Sequence, residues 1–228
     1  MMILGSHRGS HYLCIALESS VIVAKWAGFP ENQFVTVATV PLSFRTTSLN
    51  LIETAPNELF LFLGDSSGHC HSMDLSRQEI SPIEIPHQFQ QNVGGVSRVG
   101  KWVKSVSFST PHVQENILVL CFEKMGLVDR LGDDFDENEV RSLGWRNQVS
   151  FVVKFGTKYI VAGSTSVIDV INVETGKVVH VFATSMEKIR ALRFLTCHGN
   201  KLFLQADEVK DGNRIGSILC IEITESII

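Results

Sequence analysis

Four short stretches carry residue types that could do chemistry. Gly64-Asp65-Ser66-Ser67-Gly68 fits the G-x-S-x-G string, in which a sharp turn between a strand and a helix exposes a serine nucleophile for acyl transfer. Gly95-Val96-Ser97-Arg98-Val99-Gly100-Lys101 fits the start of a phosphate-cradling loop, where backbone amides and a lysine hold a nucleotide. His69-Cys70-His71 offers zinc-ligand types, and Asp134, Asp136 and Asn138 open like a calcium-binding loop. The neighbouring residues decide each case.

All four fail on context. The serine turn is followed by residues that alternate as a strand, not by the helix the chemistry needs, and Gly, Asp and Ser are also what a hairpin turn needs. The phosphate-loop string puts Trp102 where a Ser or Thr should hold magnesium, and 103–108 reads as strand. On a strand, His69 and His71 share one face while Cys70 points to the other, and no second cluster completes a four-ligand set. The calcium-like run has Glu139 in place of the turn glycine and Trp145 in place of the bidentate glutamate. A hydrolase built on Ser66 would also need an ordered His and acid, and the sequence supplies no such order. No cofactor or metal is expected.

The elements around these stretches repeat. An aliphatic strand, a tight polar turn and a second strand closing on an Asp or Asn turn occur at 59–74 and again at 159–173, the latter followed by Glu174-Thr175-Gly176 and another strand. A strand pair that buries one face is unstable alone, so such units must stack. Period-two or β-rich runs start at Tyr12 and continue through 215–223, about eighteen in all by pattern. The one expected helical turn is at 185–188. At four strands per blade the reading is all-β, a β-propeller with about four or five blades.

Composition narrows the function classes. The 228 residues are 44% hydrophobic and 19% charged with a net charge of −4, which suits a globular protein and gives no basic footprint for nucleic acid. The apolar run at Met1 to Leu4 breaks after four residues, too short for a signal core or a membrane span. Cys14, Cys70, Cys121, Cys197 and Cys220 are scattered and odd in number, four of them among strand-like apolar residues, and no N-x-S/T site occurs. A cytoplasmic protein, or one peripheral to a membrane, is expected.

An ordered series of pieces resembles the citron homology (CNH) domain, most closely the version at the C-terminus of Misshapen/Nck-interacting Ste20 kinases. The pieces are Tyr12 to Val21 with Trp26, Gly64 to Asp74, Leu118 to Glu123 with Gly126, Leu143-Gly144-Trp145, Ile168 to Phe182, Arg190 to Leu195, and Asn200 to Phe203. The domain is expected over 11–224, with 1–10 a short N-terminal segment. The resemblance implies a seven-bladed propeller serving as a regulatory and docking module, with small GTPases of the Rap or Rho class and kinase-cascade or cytoskeletal proteins as partners. The alternatives are the citron homology domain of a vesicle-tethering protein of vacuolar trafficking, or that of a Rho guanine-nucleotide exchange factor.

Two departures from the family matter. Its early blades, which would precede Tyr12, are not seen, so an open sector with an unpaired sheet edge and core face is expected. After Gly126 the chain has Leu131-Gly132-Asp133-Asp134 where similar domains carry an arginine-containing turn. No kinase glycine loop, H-R-D or D-F-G occurs, so kinase activity is not expected of this chain. Loops on one face of a rigid scaffold usually meet partners, which selects Arg98, Lys101 and Trp102 first, then Asp133, Asp134 and Asp136.

Overall fold

The structure is a computed structural model, and it describes residues 1–55, 58–90, 98–109, 116–131, 140–184, 189–210 and 213–224. The described residues form nineteen strands in five antiparallel sheets, each sheet laid down in chain order. The first blade holds β1 (Met2–His7), β2 (Ser10–Ala16), β3 (Ser20–Ala27) and β4 (Gln33–Pro41). The second holds β5 (Thr46–Ala55), β6 (Glu58–Asp65), β7 (Cys70–Asp74) and β8 (Glu79–Pro82). The third runs β9 (Trp102–Ser109), β10 (Asn116–Phe122), β11 (Met125–Leu131) and β12 (Arg141–Gly144). The fourth runs β13 (Phe151–Phe155), β14 (Tyr159–Gly163), β15 (Val167–Asn172) and β16 (Val178–Ala183), and the three-stranded fifth has β17 (Ile189–His198), β18 (Lys201–Lys210) and β19 (Asn213–Glu222). The leading strands β1, β5, β9 and β13 neighbour one another in turn, the arrangement of propeller blades around an axis.

Alternation explains the stacking. In β6, Leu61 and Leu63 face the first blade beside Cys14, Val21 and Val23, whereas Phe62 faces the third beside Leu118 and Trp102. In β14, Ile160 and Ala162 join a seam with the third blade, and Val161 a seam with the fifth. A strand buried on both faces must be apolar at odd and even positions alike, which is why these stretches read as continuous aliphatic runs. Four apolar clusters result, one for each seam between successive blades.

Among the described residues, one face of the first blade carries exposed apolar side chains. Met2 pairs with Ile15, Ile15 with Ile22, and Leu4 with Leu13, so these five side chains share one side of the sheet with Trp26. Met2 is 73% exposed and Leu4 63%. Among the described residues the exposed large apolar side chains all belong to the first and fifth blades or their turns, and none to the three between. Among the described residues this side of the first blade is therefore an exposed apolar sheet face.

Turn chemistry accounts for the hairpins. Gly68 takes φ +90° and donates to the Asp65 carbonyl, while Asp65 Oδ1 accepts from the His69 amide at 2.9 Å. Gly176, at φ +69°, closes the turn that Asn172 starts. Two elements differ from the sequence reading. β1 lies in the stretch read as a short N-terminal segment, because Gly5 and Ser6 break its apolar alternation. A four-residue helix, α1 (His87–Gln90), is absent from the all-β sequence reading, and its Phe89 is buried in the seam between the second and third blades. The helical turn expected at 185–188 lies outside the described residues.

Candidate functional site

The turns at one end of the middle blades are stitched together by main-chain hydrogen bonds. Trp102 N–H donates to the Gly68 carbonyl at 2.9 Å, Glu123 N–H to the Lys101 carbonyl at 2.8 Å, Lys124 N–H to Val99 at 3.0 Å, and Val149 N–H to Glu123 at 2.7 Å. The β6–β7 turn, the approach to β9, the β10–β11 turn and the approach to β13 thus form one ledge. Glu123 Oε2 accepts the Lys101 amide at 3.1 Å and fixes the turn from its side chain as well.

Lys101 stands on that ledge between two open concavities. One, of about 710 Å³, is lined by Gly68, His69, Gln90, Lys101 and Lys124 among others. The second, of about 550 Å³, is rich in hydroxyls, with Thr47, Ser48, Ser150 and Thr165 beside Lys101. Arg98 is exposed nearby and donates from Nη1 to the Gln88 carbonyl at 3.2 Å. Trp102 is only 6% exposed; it packs in the seam and its Nε1 donates to Ser105 Oγ at 3.1 Å, so it supports the ledge from below. Asp133, Asp134 and Asp136 lie outside the described residues. Glu123 and Lys124 belong to the site and were not selected from the sequence, since a charged pair in a hairpin turn is the ordinary composition of such a turn.

Asp65 forms the polar centre beside the first concavity. His69 Nδ1 and His71 Nε2 lie 3.2 and 3.3 Å from its Oδ2, and Phe44 stacks on the His71 ring at 4.0 Å. Burial raises the Asp65 pKa, but the His69 amide, the two imidazole contacts and the His69 charge outweigh it and hold the carboxyl below the usual range. His71 is thus covered, whereas His69 stays exposed. Ser66 and Ser67 sit in an exposed turn that leads into β7, so the helix a serine nucleophile requires is missing. Gly100 and Lys101 likewise lead into β9.

The remaining ligand types are dispersed. Cys14, Cys70 and Cys121 are buried thiols, with burial pushing Cys14 up to about 11 and the other two higher still. Cys197 and Cys220 are exposed on the fifth blade. Among the described residues no group of three or more His, Cys, Asp or Glu is arranged to hold a metal ion. None of their helices is long and apolar enough to cross a membrane.

Comparison with known proteins gives a consistent answer. A serine/threonine-protein kinase, mig-15 of Caenorhabditis elegans, is 24% identical over 202 residues, covering 86% of this chain but 17% of the kinase. The solved AfRom2 CNH domain superposes with a TM-score of 0.61 at 13% identity, covering 99% of this chain and 65% of that one. A chain of the crystal structure of BBS1N in complex with ARL6DN superposes with a TM-score of 0.53 at 13% identity, covering 87% of this chain and 58% of that one. These structural likenesses establish the propeller-type fold. The CNH domain family model matches residues 1–196, and the chain belongs to the CNH domain family.

Proposed function

We propose that this chain is the non-catalytic docking and regulatory part of a Ste20-type serine/threonine kinase signalling protein, and that its ledge at Arg98 and Lys101 meets small GTPases of the Rap or Rho class. The observation that carries the reading is Lys101 raised between two concavities on turns that four main-chain hydrogen bonds hold rigid. A preorganised ledge loses little conformational entropy on binding, and its exposed cations suit an acidic partner surface. The kinase relative supports the signalling context, and kinase-cascade or cytoskeletal proteins are further partners of the same module. These partners place the chain in the cytoplasm, peripheral to membrane or cytoskeleton.

The test is capture of Rap, Rho and Rab GTPases, each loaded with a GTP analogue or GDP, by the chain and by an Arg98→Glu/Lys101→Glu variant. The expected result is GTP-dependent capture of a Rap or Rho member, weakened more than tenfold by the double reversal and by raised salt. Charge reversal at Asp133, Asp134 and Asp136 checks the second candidate loop. Capture indifferent to both sets of changes means that the binding surface lies elsewhere.

A further inference from the structure

Away from the ledge, the seam between the second and third blades opens into an apolar groove of about 210 Å³. Phe60 and Phe62 of β6 form one wall, and Leu118, Leu120 and Leu127 of β10 and β11 the other. The volume is below the few hundred cubic ångströms of a drug-sized ligand site, and it matches one aliphatic or aromatic side chain. Three polar residues, Ser72, Glu84 and Asp129, contribute to its lining. An apolar recess with a few convergent polar groups is the usual form of a recognition site.

Glu84 defines what the groove can take. It lies on the stretch after β8, where the Ile83 amide bonds to the Cys70 carbonyl at 2.9 Å and Pro86 favours extended backbone at Ile85. Glu84 is exposed, and among the described residues neither its main chain nor its carboxylate has a partner. It therefore presents an amide, a carbonyl and a negative charge beside an apolar recess. Added extended chains bond to such main-chain groups, and the recess selects a side chain.

We propose that this groove seats one leucine- or phenylalanine-sized side chain of an extended peptide, whose lysine or arginine two residues away engages Glu84. Two residues along an extended chain span roughly 6.6 Å and return to the same side, so anchor and cation reach the groove and its rim together. The Glu84 carboxylate favours a basic peptide and disfavours an acidic one by like-charge repulsion.

The experiment uses the 228-residue chain and a fluorescein-labelled peptide, Gly-Ser-Lys-Ser-Leu-Ser-Lys-Ser-Gly-Ser, followed by anisotropy and by methyl NMR. The expected result is saturable binding with shifts at Leu118, Leu120 and Leu127, weakened more than tenfold when the peptide leucine becomes alanine or its lysines become glutamates. Glu84→Lys should reverse the preference between the lysine and glutamate peptides, and Ser72→Phe should abolish binding by filling the recess. Glu84 is exposed, so its variant keeps the fold and decides the matter even if Ser72→Phe does not fold. Lack of saturation at millimolar peptide, binding unchanged by Glu84→Lys, or shifts confined to the Lys101 ledge would overturn the proposal.

Discussion

Trp145 lies against Gly126 so closely that a methyl group on Gly126 would sit 2.9 Å from the indole ring. The same indole donates from Nε1 to the Phe122 carbonyl at 2.8 Å, and so covers the turn between β10 and β11. Glu123, which ties that turn to Lys101 and Val149, is held next to this contact. The candidate docking ledge thus depends on a tryptophan outside it.

Gly126→Ala should lower stability by about 1–3 kcal/mol, because either the ring or the strand must move. Trp145→Phe should cost about 1 kcal/mol through the lost hydrogen bond. Urea denaturation of both variants checks this, and an unchanged midpoint for Gly126→Ala would show that the indole has room to shift.

Asp65 should give the fold an acid-sensitive limb. Its folded pKa is lowered, because the contacts with His69 and His71 outweigh burial. A carboxylate lowered in the folded state contributes stability that is present above its unfolded pKa, about 4, and is lost as pH falls through the lower folded value. Asp65→Asn should therefore flatten the loss of stability below about pH 4. Parallel acid limbs for the two proteins, followed by tryptophan fluorescence, would remove Asp65 from the account.

The uncovered face of the first blade should tolerate charge. Leu4 is 63% exposed, so Leu4→Lys should change stability by no more than about 0.5 kcal/mol while reducing dye binding and self-association. Leu61, fully buried in the neighbouring seam, should lose about 2–5 kcal/mol on substitution by alanine. Melting curves with light scattering compare them, and a large loss for Leu4→Lys would mean that the face is covered in solution.

Trp102 separates support from contact. Trp102→Phe leaves the Ser105 hydroxyl without its indole donor and should cost about 1–2 kcal/mol. The same change should leave capture of a bound partner within about threefold at temperatures where the variant is folded. A selective loss of capture would make Trp102 a direct contact.

The seams were legible in the sequence because strands buried on both faces must be apolar at every position, as 59–64 and 159–163 are. The turns at Asp65 to Gly68 and Asn172 to Gly176 were legible because positive φ and side-chain capping restrict residue type. β1 was not, since two small residues interrupt its period. α1 has no apolar stripe long enough to announce a helix. The ledge was half legible: Arg98 and Lys101 stand out as loop cations, but Gly68, Lys101, Glu123 and Val149 meet through main-chain groups, which leave no mark on side-chain choice. Trp102 between Lys101 and Val103 could have pointed either way, and strand parity in the third blade turned it inward.

The sheet face of Met2, Leu4, Leu13, Ile15 and Ile22 also bears on how the 228-residue chain behaves when handled alone. Met2 and Leu4 make that face adhesive, so the isolated chain will seek a cover for it, from a second copy or from a surface. The concentration dependence of its apparent mass therefore reports how readily that face is occupied.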